Sequence, residues 1–139
     1  MSYHTIILVG NLGRDPEMRY TPSGQAVTSF SVATNRVYTA SDGQQVKETV
    51  WFRVTTWGKT AESCNTYLKK GSSVLVEGRL LPDLATGSPK IFTRNDGSPG
   101  ASYEVTANMV RFLSGRSETG SFDQAESDAE TDTNDEIPF

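Results

Sequence analysis

The sequence predicts an all-β domain: a closed, five-stranded Greek-key barrel with one short helix between its third and fourth strands, followed by an acidic tail. Three observations carry that prediction. Five stretches within the first 113 residues alternate apolar and polar side chains, or form short apolar runs bounded by turn residues. One stretch, between the third and fourth of these, switches to a spacing of three and four. The charge also divides sharply. Ser114–Phe139 holds eight acids against one base, a net of −7, whereas Met1–Leu113 holds 12 bases and nine acids, a net of +3.

The first strand is "TIILVGNL", an apolar run closed by Gly13 and Asp15-Pro16. The second, "AVTSFSVATNRVY", alternates and keeps Phe30 and Val32 on one parity. A turn at Ser41-Asp42-Gly43 leads into the third, "VKETVWFRVTTW". In "KTAESCNTYLKKG", Ala61, Cys64 and Leu68 fall three and four apart, with Thr60 expected to cap the start and Gly71 to end the helix. "SSVLVEGRLL" and "ASYEVTANMVRFL" supply the last two strands, separated by a long loop rich in Pro, Gly and Asn-Asp-Gly. Five strands with a helix after the third match a barrel of the OB type, whose loops and one face bind oligomeric ligands. An open α+β sandwich is the competing architecture. Residues 1–113 form the expected domain. Residues 114–139 lack the apolar content to offset their ordering entropy and are read as a disordered tail.

The third strand carries the chemistry. Side chains alternate faces along a strand, so Val46, Glu48, Val50, Phe52, Val54 and Thr56 share one side. Lys47, Thr49, Trp51, Arg53, Thr55 and Trp57 share the other, which puts two tryptophans and two cations where a polar face is expected. Single-stranded nucleic acid needs this combination: bases stack on flat rings, at roughly 1–3 kcal/mol each, while cations follow the phosphates. The plainer alternative is that both tryptophans pack in a subunit interface or under a loop; Arg53 between them and Lys59 beyond favour binding. Tyr38, across the Asp42-Gly43 turn, extends the candidate platform. Phe92, between Lys90 and Arg94, repeats the pattern in the long loop, with a loop anchor as its alternative role. Arg19, Arg36, Lys47, Arg53, Lys59, Lys69 and Lys70 are the candidate phosphate contacts.

Catalysis finds no support in the residues. "WGKT" contains Gly-Lys-Thr, but a phosphate-binding loop needs a glycine where Arg53 stands. One His and one Cys cannot make a zinc site, and Cys64 lies on the apolar stripe of the helix as a small hydrophobe. No cofactor or metal is expected. A lone cysteine forms no internal disulfide and fits a reducing compartment, no apolar stretch is long enough to span a bilayer, and "MSYHTIILVG" has no basic region before its apolar run. A cytoplasmic location follows.

Three stretches, "ILVGNLGRDPEMRYTPSGQAVTSFSVAT", "WFRVTTWGKTAESCNTYLKKGSSVLVEGRL" and "DEIPF", closely resemble the bacterial single-stranded DNA-binding protein (SSB) family. The resemblance covers almost the whole body and the tip of the tail. It implies an OB-fold that assembles as a homotetramer and wraps single-stranded DNA without marked sequence preference, in a nucleoid-associated setting. It assigns stacking to Trp51, Trp57 and Tyr38, and basic contacts to Arg19, Arg53, Lys59 and Lys70. It also implies that Asp135, Glu136, Ile137, Pro138 and Phe139 dock replication, recombination and repair proteins, gripped by the Phe side chain and the terminal carboxylate. The chain departs from the family pattern in three places. Phe52 stands where many relatives have His, the segment Pro82–Gly100 is long, and the linker from Ser114 is short. Phe92 is the candidate for the remaining stacking aromatic. Two other functions stand beside this one: an adaptor whose barrel mediates protein assembly, and an RNA-binding barrel, since stacking platforms accept either sugar.

Overall fold

A computed structural model describes residues 1–113. The expected acidic tail and its tip, Asp135–Phe139, lie outside the described residues. The chain runs β1 (Ile6–Leu12), β2 (Glu17–Tyr20), β3 (Ala26–Thr39), β4 (Gln45–Trp57), α1 (Gly58–Tyr67), β5 (Ser73–Leu80), β6 (Lys90–Thr93) and β7 (Pro99–Phe112). The five long strands are those the alternation marks out. They join in the order β1-β5-β7-β4-β3, and β1 returns to β3 at Asn11↔Ala33 and Leu12↔Val32, which closes the barrel. One pairing is parallel, β4 with β7.

Two short strands are additions to the expected five. β2 pairs with β3, and β6 forms a hairpin with the start of β7, so part of the expected long loop is a paired arm. Each has four residues, a weak signal beside the turn residues that flank it. The helix begins at Gly58 with Trp57 at the N-cap position and no side-chain cap, so Thr60 sits within the first turn instead of capping it. Gly58 has φ +65°, a left-handed backbone that glycine adopts readily and that lets β4 turn straight into α1.

Ten residues make a helix too short to persist alone in water. Its stability comes from packing: Ala61 and Cys64 are fully buried, and Cys64 and Leu68 join Leu8, Leu12, Phe30, Val32, Val54, Val74, Val76 and Val105 in one core. Two buried threonines fasten it. Thr28 Oγ1 donates to the Ala61 carbonyl at 2.7 Å, and Thr56 Oγ1 donates to the Thr28 carbonyl at 3.0 Å. Burial pushes the Cys64 thiol up to about 11, against a smaller opposing effect of its hydrogen bond with Thr56.

β3 and β4 pair over 13 residues each, from Val27↔Trp57 to Thr39↔Gln45. Their outer halves project from the barrel as an arm. The turn at its tip forms as expected, with the Gly43 amide donating to the Ala40 carbonyl and the Gln44 amide to the Asp42 carboxylate.

Candidate nucleic-acid interface

The alternation of β4 survives in the structure. Val54 and Thr56 are buried and Val46, Val50 and Phe52 half-buried, while Lys47, Thr49, Trp51, Arg53 and Trp57 are exposed. Register extends that face sideways, because residues directly opposite on paired strands share a side. Arg19 on β2 stands opposite Val27, which stands opposite Trp57. Ser31 is opposite Arg53, Ala33 opposite Trp51 and Val37 opposite Lys47. The result is a band across β2, β3 and β4 with an indole near each end and Arg53 between. The two indoles are six positions apart, about 20 Å along a strand, so they serve different bases.

Both rings are half-open, Trp51 at 52% and Trp57 at 43% exposure. Trp51 is fixed from beneath. A Cβ added to Gly13 would lie 2.6 Å from its Cζ3 and 2.7 Å from its Cη2, so the ring lies directly on the glycine backbone. The Gly13 amide donates to the Ser31 carbonyl of β3, which ties that backbone to the same sheet. Gly13 has no left-handed φ; it is needed for close approach and not for conformation. In the sequence it reads as an ordinary turn glycine. No local signal marks it, because ring and glycine are 38 positions apart.

The cations divide into engaged and open groups. Among the described residues, ion pairs join Arg36 to Glu48 at 3.5 Å and Lys90 to Glu104 at 3.8 Å. Glu104, the neighbour of Arg53 across the β4–β7 pairing, is thus occupied by Lys90 and by the Ser102 hydroxyl at 3.0 Å. Arg19, Lys47, Arg53, Lys59, Lys69 and Lys70 are exposed and enter no ion pair among the described residues. Arg53 opens onto a shallow polar cleft shared with Arg14, Asp15, Glu17 and Ser31. Asp15 also holds the far side of the site together, its carboxylate accepting the Lys70 amide at 2.8 Å. Lys59 stands in the first turn of α1, directly after Trp57 and Gly58.

Two expected stacking residues are placed differently from the tryptophans. Tyr38 is opposite Val46, on the parity of Phe30 and Val32, and therefore on the reverse face of the arm. It does not extend the tryptophan face. The Arg36 guanidinium lies over its ring at 4.6 Å from the centroid. Phe92 is on β6, opposite Gly100, where an added Cβ would meet its ring at 2.8 Å. Arg94 flanks that ring at 5.7 Å and donates to the Pro99 carbonyl. Phe92 anchors its own hairpin through one face and leaves 46% of its surface exposed. The Asn-Asp-Gly turn was the signal for this hairpin.

Among the described residues no group of three His, Cys, Asp or Glu side chains could hold a metal ion, and no helix is long and apolar enough to cross a membrane.

Comparison with known proteins fits this geometry. Residues 3–113 match the model of the single-strand binding protein family. A single-stranded DNA-binding protein of Neisseria meningitidis is 42% identical over 118 residues, covering 85% of this chain and 64% of that protein. One from Wolinella succinogenes is 42% identical over 111 residues, covering 80% and 64%. The chain thus spans somewhat less than two thirds of the length of these relatives. Among solved structures, a deletion mutant of the single-stranded DNA-binding protein from Thermus aquaticus superposes with a TM-score of 0.61 at 31% identity, over 81% of this chain and 51% of that one. A Plasmodium falciparum SSB in complex with ssDNA superposes with a TM-score of 0.67 over 82% and 97%. At 24% identity that second likeness shows the fold alone.

Proposed function

The chain belongs to the single-strand binding protein family, and from that premise we propose that it binds and protects single-stranded DNA during replication, recombination and repair, without marked sequence preference and without catalysis. One observation carries the proposal: Trp51 and Trp57, both half-open, share a face with Arg19, Lys47 and Arg53, and none of these cations is tied up in an ion pair among the described residues. Each indole offers roughly 1–3 kcal/mol of stacking to any base. The open cations supply a salt-sensitive attraction to phosphate, of slope about 0.7 per contact on a single strand. Neither term reads base identity.

A homotetramer is part of the proposal. β1 pairs β5 from Ile6 to Asn11 but meets β3 only at Asn11 and Leu12, so most of its second edge has no strand partner among the described residues. Its outward residues Ile7 and Val9 are 61% and 56% exposed. An unpaired edge with apolar side chains is a template for a second copy. We further propose that Asp135–Phe139 recruits partner enzymes, in the cytoplasm at the bacterial nucleoid, through its carboxylates and the apolar Ile137-Pro138-Phe139 group.

Titration of tryptophan fluorescence with oligo-dT, oligo-rU and a duplex, at low and high salt, tests the binding. Strong quenching by dT, weaker by rU and none by duplex is the expected result. Absence of quenching by every strand returns both indoles to packing and favours an adaptor role; equal quenching by rU favours an RNA binder. Deleting Ile137–Phe139 is expected to spare dT affinity and abolish partner recruitment.

A further inference from the structure

The two faces of the β3–β4 arm treat their cations differently. On the tryptophan face Lys47, like Arg53 at the arm's base, enters no ion pair among the described residues. On the reverse face Arg36 is held from two sides: Glu48, its direct cross-strand partner, at 3.5 Å, and the Tyr38 ring at 4.6 Å from the centroid. Strand register enforces the ion pair, since directly opposite residues have Cβ atoms only about 5 Å apart. The guanidinium therefore carries a neighbouring negative charge and covers one side of the ring on which a base would stack. A phosphate arriving there meets a carboxylate already in place.

Resting on the reading of this chain as a single-stranded DNA binder, we propose that Glu48 is an affinity-determining residue that holds Arg36 across Tyr38 and keeps the reverse face of the arm closed to nucleic acid until phosphate displaces the carboxylate. A strand first occupies the tryptophan face, where no ion pair among the described residues must break. Extension onto Tyr38 then requires Arg36 to exchange Glu48 for a phosphate. Glu48 thus sets how much of the arm a strand covers at a given salt concentration.

The test uses the whole 139-residue chain with Glu48→Gln, Arg36→Gln and the double variant, titrated with oligo-dT across a salt series. Both side chains are largely exposed, at 67% and 46%, and exposed ion pairs contribute little to folding, so all variants are expected to melt close to the wild type. Glu48→Gln is expected to tighten binding roughly threefold to tenfold near 0.1 M salt, since Arg36 no longer has to leave an ion pair before it meets a phosphate. It should also steepen the salt dependence by about 0.7, one added phosphate contact. In the Arg36→Gln background the same substitution should gain nothing. An equal gain in both backgrounds means simple removal of negative charge and overturns the proposal, as does the absence of any gain. Failure of the wild-type protein to bind oligo-dT is a different result: it removes the functional reading itself and this proposal with it.

Discussion

Two arms leave the barrel, and each lays an aromatic ring on a glycine. At the base of the β3–β4 arm Trp51 lies on Gly13; in the β6–β7 arm Phe92 lies on Gly100. What differs is where the glycine belongs. Gly13 follows β1 and is tied through its amide to Ser31, so Trp51 is fastened to the barrel itself. Gly100 is the cross-strand partner of Phe92, so that support belongs to the ring's own hairpin of four pairs. A ring held against the scaffold keeps its position when the arm flexes, whereas a ring held against its own arm travels with it. Precision at a binding face depends on what the supporting residues are attached to.

The largest expected effect follows directly. Trp51→Ala should weaken oligo-dT binding by roughly fivefold to a hundredfold, the worth of one stacked base, and leave the salt slope unchanged because no charge is lost. Fluorescence anisotropy of labelled oligo-dT at several salt concentrations measures both quantities. A loss no greater than that of Phe92→Ala would erase the contrast between the arms.

Gly13→Ala comes next. Its backbone can accept alanine, because φ at this position is not in the left-handed region. The new methyl group would stand 2.6 Å from the Trp51 ring and must lift it. Binding is expected to fall by less than for Trp51→Ala, roughly threefold to tenfold, and the substitution should cost nothing further in a Trp51→Ala background. Additive losses would mean that Gly13 acts on something other than the indole.

The tryptophan face was readable from the sequence because it needs only alternation along one strand: Trp51, Arg53 and Trp57 share a parity whatever their neighbours do. The core was readable for the same reason, through Phe30 and Val32 in β3 and through Ala61, Cys64 and Leu68 in the helical spacing. Placing Tyr38 required more. Its face depends on which β4 residue it meets, and that is set by the geometry of the Ala40–Gln44 turn, which joins Thr39 to Gln45. A turn one residue longer or shorter would reverse the side. β2 gives a weak signal because Glu17–Tyr20 is a brief alternation set between turn residues, and β6 because Lys90–Thr93 places two apolar residues side by side. The support of Trp51 by Gly13 had no sequence signature, since it joins two segments that only the closed barrel brings together.

Phe92→Ala should cost less than about threefold in oligo-dT affinity, because the ring already spends one face on Gly100 and moves with a short arm. Its main effect is expected within the hairpin, as faster amide exchange at Arg94, which donates to the Ser98 carbonyl, and at Ser102, which stands opposite Lys90. Equal losses at Phe92 and Trp51 would show that the second arm is as firmly held as the first.

Cys64 supplies the smallest expected effect and a control on the others. It is fully buried under α1, and burial pushes its thiol up to about 11 from an ordinary 9.0. The native protein should stay unlabelled by a thiol reagent at pH 8 and react only after denaturation. Above pH 9 the unfolded thiol ionises while the folded one keeps its proton, so the unfolded state binds fewer protons and stability should fall as pH rises from 9 towards 11. No such dependence on this group is expected below pH 8. The same thiol reports whether a variant has opened the core. If Gly13→Ala or Phe92→Ala leaves Cys64 protected while weakening binding, the loss lies in the arms; if labelling accelerates in step with the loss, the barrel has loosened, and the difference between the two arms is no longer what is being measured.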